Sequence, residues 1–191
     1  MKKAIAVLLT IIMIMGLCAC GDNNPETVTE KFFTAVKEQN KQELLIYAEN
    51  PAINVLVNNA GNEEEITDIF SSITKNLAWE ILSIEENDEK TKATVKVKIS
   101  NSDFSGVLAT YQTEAVKYTT DNLAAAEFTK ETMTQQCIKI FAQHVKAAAV
   151  KDTVKETELD INLYKDENKR WRLEMSEELK NAVLGGIQFP L

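Results

Sequence analysis

The chain has 191 residues, of which 29 are acidic and 21 are basic, and its formal net charge at pH 7 is −8. That length suits a single domain with a hydrophobic core of its own. A surface this acidic repels nucleic acid and anionic lipid headgroups, so neither is expected as a direct partner.

The first twenty residues have the layout of an export signal. Lys2 and Lys3 precede an apolar run from Ala4 to Leu17, and small residues follow it. A basic start, an apolar stretch and a small-residue site in this order are typical of secretory signals. The run ends in Leu17-Cys18-Ala19-Cys20, and Leu-x-Ala-Cys resembles the lipobox of bacterial lipoproteins. The resemblance implies that Cys20 becomes the first mature residue and carries a thioether-linked diacylglycerol, with acyl chains such as palmitate.

Two other interpretations of this segment remain open. A membrane-spanning helix needs about 20 apolar residues, and the run from Ala4 to Leu17 is shorter than that. An ordinary cleaved signal would leave no lipid, and Cys18 and Cys20 would then be incidental. We expect the lipoprotein arrangement, with a signal peptide over residues 1–19, a lipidated N-terminus and tether over 20–25, and one domain over 26–191. Such a protein is held in the cell membrane on its extracytoplasmic face, and it contacts the bilayer through acylated Cys20.

Cleavage would change the charge and the cysteine count. Lys2 and Lys3 leave with the signal, so 19 basic side chains remain against 29 acidic ones and the net charge is about −10. Cys137 is then the only free thiol, and the domain is expected to be stable without an internal disulfide. The abundance of Lys, Glu, Asn, Thr and Ile hints at a low-GC genome, and with it at a Gram-positive cell.

Apolar spacing predicts helices in the first part of the chain. Pro25 suits the first turn of a helix in which Val28, Phe32 and Val36 recur on one side. The break Asn50-Pro51 separates two further short helices. We predict helices over residues 25–36, 44–48, about 53–57 and 63–77, with a loop over 58–62.

The pattern then changes to the alternation that is typical of strands. Apolar residues from Ala93 to Ile99 alternate with Lys and Thr, as in an antiparallel sheet that is covered on one face. Between two predicted strand hairpins, residues 103–151 show helical spacing and are predicted to form a helical pair. The fold class is therefore α+β. We predict strands over 79–86, 91–100, 159–163 and 171–175, helices over about 105–126 and 129–150, and a short last helix from Ser176 to Gly185-Gly186.

Three segments carry a resemblance to a known superfamily. They are Pro-Glu-x-Val-x-x-x-Phe-Phe-x-Ala-Val at residues 25–36, Leu-Leu-x-Tyr-Ala at 44–48 and Trp-Arg-Leu at 171–173. These segments resemble small exported lipoproteins of the nuclear transport factor 2-like, or cystatin-like, superfamily. The resemblance covers about residues 25–101 and 153–175, and it implies a curved antiparallel sheet wrapped around helices as a cone. The helical pair over 103–151 departs from the compact form, so we expect an insertion that could cover or fill the mouth of the cone.

Few residues suggest catalysis. His144 is the only histidine, and on one helix it lies about 10.5 Å along the axis from Cys137, too far for a shared metal ion. We interpret both as residues that flank an apolar helix stripe. No metal, phosphate-loop or nucleophile motif occurs, so no cofactor is predicted. The superfamily that the chain resembles includes enzymes with an acid inside the cone, such as ketosteroid isomerase, and Glu80 or Glu85 could point inward in that way.

Aromatic residues are the remaining candidates for a site. Phe32, Trp79, Tyr111 and Trp171 could line a cavity for a small apolar ligand, although ordinary core packing explains the same residues. We therefore expect a monomeric, non-catalytic binding module for a small apolar ligand or for an envelope protein partner. The alternative is a small lyase or isomerase that uses a carboxylate in the cone.

Overall fold

The computed structural model describes residues 23–48, 63–125 and 128–189. Within these ranges the chain forms six helices and four strands. In chain order they are α1 (Pro25–Lys37), α2 (Lys41–Tyr47), α3 (Glu63–Thr74), β1 (Ala78–Glu86), β2 (Lys92–Ser102), α4 (Val107–Asn122), α5 (Lys130–Ala149), β3 (Val154–Lys165), β4 (Trp171–Leu173) and α6 (Glu177–Val183). The predicted lipidation site Cys20, the predicted helix near 53–57 and the predicted loop over 58–62 lie outside the described residues.

The four strands form one antiparallel meander in the order β1-β2-β3-β4. In β2 the odd-numbered residues from Ala93 to Ile99 are buried, and the residues between them are half-buried or exposed. The second half of β3 alternates in the same way, so the sheet has one apolar face and one solvated face. The register shifts between Ile81 and Ser83, which marks a bulge in β1, and a bulge bends and twists its strand.

Helices α1 and α6 cover the apolar face of the sheet. Asn24 caps the start of α1, where its side chain accepts a hydrogen bond from the N–H of Thr27 at 2.8 Å. Phe32 and Phe33 of α1 and Leu179 of α6 are at most 1% exposed, and they pack with the buried residues of the strands. Full burial of side chains of this size contributes about 2–3 kcal/mol each. We call this core the sheet cluster.

A second core lies among α3, α4 and α5, and we call it the helical cluster. It includes Ile73 of α3 and Phe141 and Val145 of α5, together with Phe104 and Ile187 from the segments that follow β2 and α6. Helix α5 packs against both α3 and α4, and α3 in turn contacts β2. The helical pair therefore packs on α3, whereas the apolar face of the sheet is covered by α1 and α6.

A buried asparagine joins the two cores. Asn101 continues the buried side of β2 and is 1% exposed. Its side-chain amide donates to the carbonyl of Ile73, near the end of α3, at 3.0 Å, and to that of Val183, at the end of α6, at 2.8 Å. Its Oδ1 accepts a hydrogen bond from the N–H of Ser102 at 2.8 Å. Because the last four carbonyls of a helix have no partner within it, this one side chain caps two helices.

The predicted α+β class is confirmed, as are the antiparallel sheet on the first helix and the helical pair between β2 and β3. Some boundaries were wrong. β3 begins at Val154, before the predicted start at Leu159, because residues 155–158 are polar on both faces of the strand although residues 154–158 pair with Lys98–Ser102 of β2. β4 ends at Leu173 and α3 at Thr74, each earlier than predicted.

Candidate functional site

The four aromatic residues that were predicted to bind a ligand lie in two different cores. Phe32 and Trp171 belong to the sheet cluster and are 1% and 3% exposed. Trp79 is half-buried beside that cluster, and its ring stacks on Phe33 with the ring centres 5.2 Å apart. Tyr111 packs on the helical cluster instead. Phe32, Trp79 and Trp171 therefore pack in or beside one core, and Tyr111 packs in another. The ligand-binding role of these four residues stays a prediction.

Neither carboxylate that was considered for catalysis points into the sheet cluster. Glu80 and Glu85 are both exposed, because the register sets Glu80 opposite Lys98 and Glu85 opposite Thr94 on the solvated face. The prediction that one of them could point inward is wrong. In a regular strand these two residues would lie on opposite faces, but the bulge of β1 shifts the alternation by one residue and puts both on the same face. In the described ranges the buried polar side chains are Thr29, Thr74, Asn101 and Ser102, and none of these is a carboxylate.

Contacts between the side chains of α4 and α5 hold the helical pair together. His144 Nε2 lies 2.8 Å from Glu114 Oε2, and the ring of Tyr111 meets Phe141 edge-on with the ring centres 5.4 Å apart. Burial raises the pKa of the Tyr111 hydroxyl, and the neighbouring Cys137 thiol raises it further. The part of the chain that the structure describes has no group of three or more His, Cys, Asp or Glu side chains placed to hold a metal ion.

The side of α4 that faces away from α5 has no charged residue. We call the exposed residues on this side the α4 face: Ala109, Gln112, Thr113, Val116, Thr120 and Leu123, the residue that directly follows the helix. The charged residues of α4 lie on one flank of the helix instead, at positions 114, 117 and 121. Val116 is 66% exposed and Leu123 is 71% exposed, so the α4 face presents two large apolar side chains to solvent.

The threonine hydroxyls of the α4 face are already satisfied within the helix. Thr113 Oγ1 donates to the carbonyl of Ala109 at 3.0 Å, and Thr120 Oγ1 donates to that of Val116 at 2.9 Å. A hydroxyl that donates its hydrogen bond to the carbonyl four residues before it does not require water as an acceptor. A partner protein can therefore exclude water from the α4 face at a low free-energy cost of desolvation, because the face holds no charge and few unsatisfied hydrogen-bond donors.

Two buried or packed residues of this region were missed by sequence reasoning. Asn101 could have been found, because it occupies an apolar position in the alternation of β2. Phe189 had no periodic signal, since it lies in the segment after α6. Its ring packs between Phe141 at 5.9 Å and Phe70 at 6.1 Å, and so ties that segment to α3 and α5.

Comparison with known proteins gives a distant structural likeness. No protein-family profile matches the chain, and no curated protein matches it. The chain is similar to the crystal structure of a candidate lipoprotein, YcdA, from Bacillus subtilis, with a TM-score of 0.46 and 14% sequence identity. The likeness covers 98% of this chain and 56% of that one, so the chain spans little more than half the length of the YcdA chain. A likeness this distant carries no argument about function.

None of the helices in the described ranges combines the length and the apolar character that a membrane crossing requires.

Proposed function

We propose that the chain is an exported lipoprotein, held on the extracytoplasmic face of the cell membrane through acylated Cys20, and that it is a non-catalytic binding module for an envelope protein. The anchor is supported by the basic start, the apolar run and the Leu-x-Ala-Cys sequence at the N-terminus. The preference for a protein partner over a small apolar ligand is supported by the packing of the folded domain.

The observation that carries this preference is the location of the accessible uncharged surface. A cone-shaped fold that binds a small molecule would leave a cavity on the apolar face of its sheet. Here that face packs against Phe32, Phe33 and Leu179, all at most 1% exposed. Two of the most exposed large apolar side chains in the described ranges, Val116 and Leu123, lie on the α4 face instead. A helix face is a surface that another protein can cover.

The chemistry of the partner follows from charge. The mature chain has a net charge of about −10 and repels acidic surfaces at long range. At the α4 face itself there is no charge to pair, so a charged partner surface would lose its water without compensation. The partner is therefore an envelope protein that presents an uncharged, partly apolar surface.

We also propose that the sheet and α1 have the nuclear transport factor 2-like, or cystatin-like, architecture that the sequence resembles. The support is that α1 packs on the apolar face of a four-stranded antiparallel sheet and that its first strand is bent by a bulge. A crystal structure tests this. Superposition of the four strands and α1 on members of the superfamily should match in both connectivity and direction, and a different strand order in the superposed sheets would refute it.

The anchor is tested with two cysteine variants. Cys20→Ala should abolish acylation, leave an unprocessed precursor and release no mature lipoprotein, as judged by mass spectrometry of the N-terminal peptide and by membrane flotation. Cys18→Ala is the matched control, because this residue would leave with the signal, and it should be processed normally. Normal acylated product from Cys20→Ala would rule out the proposed anchor.

The binding surface is tested with a photoreactive amino acid in whole cells. Placed at Val116 it should give a specific protein adduct, whereas the same group at Asp160, which is exposed on the solvated face of the sheet, should not. Thr120→Glu puts a charge into the α4 face and should remove the adduct without changing helix content by circular dichroism. Equal adducts from both positions, or a small molecule retained by the purified domain in native mass spectrometry, would contradict the proposal.

A further inference from the structure

Asn23 fixes the point at which the chain enters the fold. Its Nδ2 donates to the carbonyl of Lys169 at 3.0 Å, and its Oδ1 accepts from the N–H of Trp171 at 3.0 Å. Lys169 belongs to the turn between β3 and β4, and Trp171 is the first residue of β4. The N–H of Lys165 donates to the carbonyl of Thr91 at 2.9 Å, so the turn between β1 and β2 lies at the same end. We call this end of the sheet, formed by residues 87–91 and 165–170, the near end.

The helical pair leaves the sheet at the opposite end, the far end. α4 follows β2, which ends at Ser102, and α5 leads into β3, which starts at Val154, and these two residues are direct partners in the register. Asn76 strengthens this end, because its Nδ2 donates to Ser102 Oγ at 2.9 Å and to the carbonyl of Ala149, the last residue of α5, at 2.7 Å. β2 has 11 residues, so at about 3.3 Å per residue the near and far ends are about 35 Å apart.

We propose that the near end of the sheet faces the bilayer and that the helical pair stands on the side away from it. This orientation rests on the proposed acylation of Cys20. Cys20 precedes Asn23 by three residues, and three residues span at most about 11 Å. The near end is therefore held beside the headgroups, whereas the far end is beyond the reach of their screened charge, which is about 10 Å.

Both long sides of the domain carry mixed charge. On the solvated face of the sheet the acidic row of β3 lies beside the lysines of β2, where Lys98 pairs with Glu156 at 3.0 Å and Lys96 with Glu158 at 3.8 Å. The turns of the near end also carry both signs of charge. The short tether, rather than charge, therefore sets which end of the sheet lies at the membrane.

The proposed orientation restricts the kind of envelope protein that can cover the α4 face. The α4 face belongs to the helical pair, whose base is about 35 Å along the sheet from the tether. A partner that covers it must therefore reach the face with a folded extracytoplasmic domain, because a segment buried in the bilayer would stay at the level of the near end.

Site-specific quenching on vesicles tests the orientation. Full-length protein, lipidated in cells, is reconstituted into vesicles of phosphatidylethanolamine and phosphatidylglycerol that carry a nitroxide quencher on the headgroup. Glu89→Cys at the near end and Val116→Cys on the α4 face, each in a Cys137→Ser background, provide one dye-labelled thiol at an exposed position. Since the tether spans at most about 11 Å, the dye at 89 should be quenched at least about twofold more than the dye at 116.

The outcomes separate the orientation from the anchor. If both proteins float with the vesicles and the two dyes are quenched equally, or the dye at 116 more strongly, the orientation is wrong and the anchor stands. If neither protein floats, the anchor is wrong and the orientation is overturned with it. A Gly-Ser linker of about 20 residues inserted after Asp22 has a reach of about 25 Å, so it should remove the difference between the dyes. A difference that survives the linker would show that the tether does not set the orientation.

Discussion

Asn101→Ala should be strongly destabilising, because one side chain caps two helices and supports the end of β2. The substitution leaves the carbonyls of Ile73 and Val183 and the N–H of Ser102 without the partners they have at 3.0, 2.8 and 2.8 Å. Each buried group that loses its partner costs about 1–3 kcal/mol. Partial access of water to the helix ends reduces the sum, and we expect a loss of about 3–5 kcal/mol in the free energy of unfolding. That is a large part of the net stability of about 5–15 kcal/mol of an average domain.

Urea denaturation measures this loss with two probes. Fluorescence of Trp79 and Trp171 reports on the sheet cluster, and far-UV circular dichroism reports on helices in both cores. Because Asn101 joins the cores, both transitions should move to lower urea together. Asn162→Ala is the control: this residue is exposed on the solvated face, and its loss should change stability by less than about 0.5 kcal/mol. A loss below about 1 kcal/mol for Asn101→Ala would refute the capping argument.

Asn101→Asp separates the donors from the shape of the side chain. The carboxylate keeps an acceptor for the N–H of Ser102 but faces two carbonyls without a proton to donate. Burial and these carbonyls raise the pKa of the new carboxyl above its ordinary value of about 4. A group whose pKa is raised on folding favours the folded state below the unfolded pKa. The variant should therefore be closest to wild type at acidic pH and lose stability as the pH rises above about 4. A constant difference across pH would contradict this.

Three further substitutions test local features, two of them steric and one electrostatic. Gly185 has a φ of +59°, and a Cβ there would lie 2.2 Å from the carbonyl oxygen of Ser102, so Gly185→Ala should cost about 2 kcal/mol or more in thermal unfolding. Gly106→Ala meets no atom within 4 Å and should change stability by less than about 1 kcal/mol; equal effects would contradict the steric reason. The N–H groups of Arg170 and Asn168 and the nearby guanidinium groups lower the pKa of Asp166. Its stabilisation is present above about pH 4 and lost as the pH falls through the lowered pKa, so the difference between wild type and Asp166→Asn should shrink in acid, and a difference that grows there would refute the sign.

The elements that the sequence predicts well are those with a periodic apolar pattern. The alternation from Ala93 to Ile99 and the helical spacing over residues 103–151 both depend on burial against the rest of the chain, and burial leaves a period of two or of 3.6 residues. The first residues of β3 could not be predicted in this way. Their place in the sheet comes from pairing with β2, and backbone pairing alone leaves no pattern in the side chains.

Residues of the candidate site were likewise hard to predict where no periodic pattern marks their position. Glu80 and Glu85 could not be placed because a one-residue bulge decides their face, and a bulge has no signature in this strand. The lack of charge along one side of α4 is visible in the sequence, from Ala109 to Leu123. Its meaning depends on which side of α4 packs on α5. The contacts of Tyr111 with Phe141 and of Glu114 with His144 show that this uncharged side faces solvent.

The covering of the sheet by α1 and α6 sets the order in which the protein can fold. These helices come from opposite parts of the chain, and the contact between Asn23 and Trp171 spans 148 residues. Pairings this distant in sequence form slowly, because the intervening loop must close first. A chain that crosses a membrane from its N-terminus delivers α1 early and Leu179 late. Until Leu179 emerges, part of the apolar face of β2 and β3 stays open to water and to other chains. Under the proposed export, the speed of translocation determines how long the new protein is exposed to aggregation and to proteases.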